Sequence, residues 1–167
     1  MKITFPHMGN VYIAVKSMLD DLEYEVVLPP KCSKKTIELG TKYSPESICF
    51  PFKIQIGNYL ESIEKGADTI IIASSCGPCR FGYYHVMVKE ILKDLGYDVN
   101  VIAIDPNGNS REFVKKIMKM GSFLDKLKIG RSILRGRKVL NEADRLTKMS
   151  NLKRAHAVSS FEVDMIM

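Results

Sequence analysis

The chain has 167 residues, of which 46% are hydrophobic and 26% charged. This length and composition predict one domain with a sizeable core rather than two full domains, and they exclude a wholly disordered chain. The formal net charge of +6 is unevenly divided, since residues 1–110 carry 11 basic and 13 acidic side chains and residues 111–167 carry 14 and 6. The basic character that would suggest a nucleic-acid or membrane-surface protein therefore belongs to one end of the chain.

The sequence shows neither a membrane span nor an export signal. Residues 1–7 contain no apolar signal core, and no apolar run approaches the ~18 residues that a span needs. We therefore expect a cytoplasmic protein. In that reducing compartment, the four cysteines of the chain are more typical of metal ligands or redox thiols than of a disulfide framework.

A helix end followed by a strand occurs three times, at residues 18–28, 64–72 and 91–101. The preceding helices have apolar residues at helical spacing, and Gly66 and Gly96 lie where a left-handed cap is expected. Short strands rich in β-branched residues are predicted at 2–5, 25–28, 69–73 and 98–104. This alternation indicates right-handed βαβ units. We predict an α/β fold with a flavodoxin-like parallel sheet of four strands in the order 2-1-3-4.

After the turn cluster at residues 106–110, the pattern becomes helical and predicts no further strand. Two apolar stripes separated at Gly130 predict two helices. We predict a domain at residues 1–110 that holds the chemistry and a basic helical extension at 111–167, which packs against the sheet or belongs to a partner or to a missing C-terminal domain. The last residues carry no capping signal, so we expect a truncated chain. The apolar stripes are formed by Phe113, Ile117, Met120, Leu124 and Leu127, then by Ile133, Leu134, Leu140, Ala143 and Leu146.

Three cysteines lie beside predicted helix starts. Cys49 precedes Pro51, which suits a first helical turn, and Cys76 and Cys79 lie between the third strand and the next helix. Ligands of an open parallel sheet gather outside the carboxyl ends of the strands, at the point where the strand order reverses. We therefore expect the loop that holds Cys76 and Cys79 at the crevice between the first and third strands, facing residues 7–10.

The chemistry of these cysteines leaves several functions open. A helix N-terminus favours negative charge and so stabilises a thiolate, and Lys53 and Arg80 would strengthen this effect. Three thiolates in an electropositive crevice suit an iron–sulfur cluster with one open iron position, or a zinc ion with a fourth ligand from elsewhere. Thiol redox chemistry, or cysteines that have no function, would fit the same residues.

The tetrapeptide Cys-Gly-Pro-Cys at residues 76–79 is also the active-site motif of thioredoxins, where it likewise follows a strand and opens a helix. Thiol–disulfide exchange is therefore the main alternative to a cluster. However, the thioredoxin fold needs an antiparallel hairpin and a cis-proline loop downstream, whereas this sequence predicts one strand and then helices. Ser74 and Ser75 also replace the aromatic residue that precedes the first cysteine.

Three segments together resemble one known family: FPHMGN at residues 5–10, CFPFK at 49–53 and CGPCRFGYY at 76–84. They are similar to the activase-related branch of the 2-hydroxyacyl-CoA dehydratase and benzoyl-CoA reductase superfamily, the CoA-substrate-specific enzyme activases or CoA protein activases. The resemblance covers residues 1–110. It implies a Rossmann-like domain of the kind that, in dehydratase subunits, binds a 4Fe-4S cluster through three cysteines, and a role in low-potential electron transfer in anaerobes.

Carried over to this sequence, the resemblance makes Cys49, Cys76 and Cys79 the cluster ligands, and Cys32 is interpreted as a non-ligand. The chain lacks the phosphate-binding patterns G-x-x-x-x-G-K-[ST] and G-x-G-x-x-G. The resemblance therefore implies the cluster-bearing or electron-accepting side of an acyl-CoA dehydratase system, with ATP hydrolysis on a separate activator chain. A dehydratase partner subunit and a CoA ester are further implied partners. Whether the chain is itself an enzyme, and whether it forms homo- or hetero-oligomers, is left open.

Several residues near the expected crevice have simpler structural interpretations. A histidine in a loop after a strand, such as His7, is more often a hydrogen-bonded structural residue than a ligand. Tyr83 and Tyr84 could shield a cluster from water, but aromatic residues at a helix start more often pack in the core. Asn10 is predicted as the N-cap of the first helix.

The basic side chains of the extension do not favour nucleic-acid binding. Footprints on nucleic acids usually add interleaved aromatic residues or a known motif, and few aromatic residues follow position 111. We predict instead a solvated face, or a docking surface for an acidic partner or for the phosphates of CoA. The basic residues concerned are Arg131, Arg135, Arg137 and Lys138, with Lys115, Lys116 and Lys119 near one helical face.

Overall fold

The structure is a computed structural model that describes residues 1–75, 78–104 and 125–156, with the backbone alone at 125–128. Its four strands lie side by side in the order β2-β1-β3-β4, and each neighbouring pair is parallel. The predicted fold class and strand order are therefore confirmed. The third strand has the predicted bounds, and the others are shorter by one or two residues. The strands are β1 (Lys2–Thr4), β2 (Glu25–Val26), β3 (Thr69–Ala73) and β4 (Asn100–Ile104).

The helices connect these strands and cover the sheet. In the described part of the chain, none of them is both long and apolar enough to cross a membrane. The predicted caps are confirmed, because Gly66 and Gly96 have φ angles of +93° and +80°. The helices are α1 (Val11–Asp21), α2 (Lys34–Tyr43), α3 (Phe50–Glu64), α4 (Tyr84–Asp94) and α5 (Asp125–His156), and a 3-10 turn, Arg80–Tyr83, precedes α4.

The apolar spacing did not predict α2. Its apolar side chains are few, and its start is set by Ser33, whose side chain accepts a hydrogen bond from the backbone of Thr36 while the Thr36 hydroxyl accepts one in return. The helix is held by close contact with α3, because a side chain at Gly57 would overlap the carbonyl oxygen of Thr36. Thr36 also donates a buried hydrogen bond of 2.6 Å to Glu61.

The two faces of the sheet carry different helices. Right-handed crossovers put α1 on one face and α3 and α4 on the other, because the strand order reverses at β1. The side chains of β3 alternate accordingly: Ile70 and Ile72 are fully buried beneath α3 and α4, and Ile71 packs with the cluster beneath α1. The larger core lies on the α3 and α4 face and includes Phe52, Ile56, Tyr59, Leu60, Tyr84, Val88 and Leu92, whereas the smaller core is formed by Ile3, Phe5 and Leu19.

The C-terminal helix α5 packs against α1. The predicted break at Gly130 is wrong, because α5 continues through this residue as one helix of 32 residues. Arg135 forms an ion pair of 2.7 Å with Asp21 at the end of α1, and Asn10 at the start of α1 donates a hydrogen bond of 2.9 Å to Thr147. The two helices are therefore antiparallel. Of the predicted extension, residues 111–124 and 157–167 lie outside the described residues.

The side chain of Asn10 has a different role from the predicted one. Asn10 does occupy the N-cap position of α1, but its side chain makes no capping hydrogen bond and contacts α5 instead. The sequence left three possibilities for the extension, and this contact, with the Arg135 ion pair, places α5 on α1.

Candidate functional site

Cys49 lies directly before α3, with an extended backbone (φ −66°, ψ 149°), and Pro51 lies in the first turn of the helix. The predicted helix start is therefore confirmed. Because α3 leads back to the amino end of β3, its own N-terminus lies near the carboxyl ends of the strands. The Cys49 side chain is exposed at this edge.

Cys79 lies directly before the 3-10 turn that leads into α4, and it is also exposed. The turn folds back onto the end of β3, since the Ser74 hydroxyl donates a hydrogen bond of 3.0 Å to the Gly82 carbonyl. A side chain at Gly82 would overlap the carbonyl oxygen of Ser75, so this close approach requires glycine. Cys79 is thereby held at the same edge of the sheet as Cys49.

Tyr84 links Cys49 to the helix that follows Cys79. Its hydroxyl is in hydrogen-bond contact with the Cys49 sulfur, although its ring is buried against Phe52 and Phe81 with centroid distances of 4.8 and 5.2 Å. Burial raises the pKa of Tyr84 above its usual range, and Cys49 and the negative charge of Cys79 raise it further. Both cysteines therefore lie within electrostatic reach of one phenol.

The two predicted cationic residues have different positions. The positive charge of Arg80 opposes the rise in the pKa of Tyr84, so Arg80 also lies within reach of this group. Its guanidinium donates a hydrogen bond of 3.2 Å to the carbonyl of Ser47, two residues before Cys49. Arg80 thus connects the two cysteine-bearing segments. The ammonium of Lys53 instead points to the carbonyl of Glu46, at 3.4 Å.

The third predicted ligand, Cys76, lies outside the described residues. Among the residues that are described, no group of three or more histidine, cysteine, aspartate or glutamate side chains could hold a metal ion. The described donors of the site are thus the sulfur atoms of Cys49 and Cys79, a donor type that suits an iron–sulfur cluster or zinc. Cys32 is exposed one residue before the cap of α2.

Asn58 positions the loop that follows β1. Its side-chain oxygen accepts a hydrogen bond of 3.3 Å from the backbone of His7, and its amide donates one of 3.2 Å to the carbonyl of Pro30. The ring of His7 stacks on Tyr12, as expected for a structural residue. Asn58 is fully buried on α3 and was missed in the sequence. The signal that could have found it was the helical spacing of polar residues in an otherwise apolar helix, at Gln55, Asn58, Glu61 and Ser62.

Comparison with family models identifies the domain. Residues 7–162 match the model described as CoA enzyme activase uncharacterised domain (DUF2229). The chain belongs to this family. The resemblance to the CoA activase branch is thereby confirmed, and the match extends beyond residue 110 to include α5. A comparison with curated proteins found no match.

The contact that sequence patterns did not predict joins two residues of the site that lie far apart in the chain. Tyr84 was interpreted as a core residue, and its ring does pack in the core, but its hydroxyl contacts Cys49, which is 35 residues away. No local pattern predicts this contact. What the sequence did contain was the position of Tyr84 at the start of the helix that follows Cys79.

Proposed function

We propose that this chain binds a 4Fe-4S cluster through Cys49, Cys76 and Cys79 and passes low-potential electrons in a 2-hydroxyacyl-CoA dehydratase type of system. The observation that carries the proposal is that Cys49, in contact with Tyr84, and Cys79 precede helix starts at one edge of the sheet in a member of the CoA enzyme activase domain family. Both cysteines are exposed and each precedes a helix start, as cluster ligands at the mouth of a crevice would.

The residues present fit such a group. Cysteine thiolates are the usual ligands of 4Fe-4S clusters, and a bound cluster supplies one-electron chemistry at a potential that its surroundings set. Arg80 holds the Cys49 segment through the Ser47 carbonyl and supplies a positive charge beside the thiolates. In the proposal, Arg80 offsets the charge of the anionic centre, and Lys53 contributes only through its longer-range charge.

The proposed partner is an ATP-hydrolysing activator chain or a dehydratase subunit, and the proposed contact surface is the outer face of α5. This helix has ten basic and three acidic side chains, and Leu134 and Leu152 on it are 62% and 67% exposed. A basic face with exposed leucines suits a partner of acidic surface. If the partner docks on this face of α5, the double variant Arg145→Glu/Lys148→Glu will bind the partner more weakly. Added salt will likewise weaken binding of the partner by the unchanged chain.

The test of the cluster is anaerobic purification followed by iron and sulfide analysis. We expect a brown protein with about four irons per chain. Cys49→Ser, Cys76→Ser and Cys79→Ser should each reduce iron content and visible absorbance, whereas the matched control Cys32→Ser should change neither.

Different results of this test would point to different chemistry. Stoichiometric zinc without sulfide would indicate a zinc site, and a colourless chain that reduces insulin disulfides would indicate thiol–disulfide exchange at Cys76 and Cys79. Loss of iron in Cys32→Ser but not in Cys49→Ser would show that Cys32, not Cys49, is the third ligand. Each of these results would contradict the proposal as stated.

A further inference from the structure

We infer that Tyr84 is a positioning residue whose hydroxyl donates a hydrogen bond to the Cys49 sulfur, fixing this ligand and raising the reduction potential of the centre that it holds. The part that concerns the potential rests on the proposed function. The inference starts from the contact between the Tyr84 hydroxyl and the Cys49 sulfur. The sequence by itself suggested only packing or shielding from water for Tyr84.

The direction of the hydrogen bond follows from the chemistry of a ligand. A cysteine that binds a metal is deprotonated, so its sulfur can only accept. A phenol can donate one proton. With Cys49 as a ligand, Tyr84 must therefore be the donor.

The surroundings of the ring fix the position of this hydroxyl relative to Cys49. Tyr84 is 2% exposed, and its ring packs edge-on against Phe52 and Phe81. Phe52 lies in the first turn of α3, three residues after Cys49, so the helix that positions the sulfur also contacts the tyrosine ring. The hydroxyl is therefore already in position before Cys49 binds a metal centre, and no further ordering of the ring is required.

A donor at a ligand sulfur changes the balance between the two redox states. Reduction adds negative charge to the centre and its thiolates, and a hydrogen bond to sulfur offsets part of that charge. The reduced state is thereby favoured, so the potential rises. Removal of the hydroxyl should lower the potential without removing a ligand.

The first test compares Tyr84→Phe with Tyr83→Phe in the anaerobically loaded protein. Tyr84→Phe keeps the ring and its packing, and Tyr83 is its neighbour with a side chain that is 70% exposed. At equal iron and sulfide content, redox titration should give a more negative midpoint potential for Tyr84→Phe and an unchanged potential for Tyr83→Phe. Equal potentials for Tyr84→Phe and the unchanged chain, or a more positive potential for the variant, would overturn the inference.

The second test does not need the cluster. In metal-free protein with 13C-labelled tyrosine, the Cζ resonance of Tyr84 is assigned by its loss in Tyr84→Phe. We expect this resonance to shift in Cys49→Ala and to stay in place in Cys32→Ala. An unchanged resonance in Cys49→Ala would show that the hydroxyl does not bond to Cys49. A wild-type chain without iron would overturn the proposed function and the claim about potential, and the resonance would still decide whether Tyr84 contacts Cys49.

Discussion

The two faces of the sheet are packed in different ways. On the face of α3 and α4, a large apolar cluster is almost fully buried, and α2 and α3 approach so closely that Gly57 lies against the backbone of Thr36. On the face of α1 and α5, the buried cluster is small, and the helices meet through the flexible Met18 side chain at Gly136 and through polar contacts.

This difference bears on the proposed function. The residues that form the candidate site extend from α3, the turn before α4 and α4 itself, so they are anchored in the more rigid packing. A redox centre benefits from rigid ligands, because their position sets its potential. The basic surface of α5 lies on the more adaptable face, which suits a role in contacting a partner.

The largest expected difference in stability between the two faces concerns two neighbouring residues of β3. Ile72→Ala should lower the free energy of unfolding by about 4 kcal/mol, because it leaves a cavity in the larger core. Ile71→Ala, on the partly buried opposite face, should lower it by about 2 kcal/mol or less. Urea denaturation of both variants measures the two values. Equal losses would show that the two faces are packed to the same degree.

A second comparison concerns two glycines in helices. Gly57→Ala should lower the free energy of unfolding by about 2 kcal/mol, because the added methyl group meets backbone atoms that cannot move aside. At Gly136→Ala, the methyl group meets Cγ and Sδ of Met18, so this side chain must change rotamer, and the preference of alanine for the helix, about 1 kcal/mol, offsets part of that cost. We expect a net change below about 1 kcal/mol in thermal or chemical unfolding. A large loss at Gly136 would indicate a rigid contact between α1 and α5.

The buried tyrosine of the larger core predicts a dependence on pH. Burial raises the pKa of Tyr59 above the ordinary value of 10.0, so the folded chain retains a proton that the unfolded chain loses. The contribution of Tyr59 to stability is complete below pH 10 and falls by roughly 1.4 kcal/mol per pH unit above it. Chemical denaturation of Tyr59→Phe between about pH 9 and 11 should show a smaller decline than the unchanged chain. Identical declines would contradict this assignment.

The smallest expected contribution to stability comes from the ion pair on the face of α1 and α5. Arg135 is 64% exposed, so its pairing with Asp21 should contribute less than about 1 kcal/mol. A double-mutant cycle with Asp21→Asn and Arg135→Gln measures this coupling, which should decrease in high salt. A coupling well above this value that persists in salt would show that the contact is stronger than a surface ion pair.

The sequence predicted much of the fold because its signals are local. The β-branched run Ile70-Ile71-Ile72 predicted a strand at 69–73, and the strand has these bounds. The helix α2 escaped prediction because its position depends on glycine contacts with α3 rather than on an apolar stripe. The predicted break at Gly130 was wrong because one glycine costs only about 1 kcal/mol in a helix.

For the candidate site as well, local features were predicted and a long-range contact was not. The helix starts at Cys49 and Cys79 were predicted from Pro51 and from the end of β3. The contact between Cys49 and Tyr84 was not predicted, because it joins residues 35 positions apart at the starts of two helices.

The sequence by itself determined the alternation of strands and helices, the order of the strands and the edge of the sheet at which Cys49 and Cys79 lie. It could do so because hydrophobic periodicity marks each element, and the handedness of the crossovers leaves few arrangements. Only the tertiary structure decided that Tyr84 meets Cys49 and that α5 packs on α1. Periodicity shows which face of an element is buried, but it does not show which element buries it.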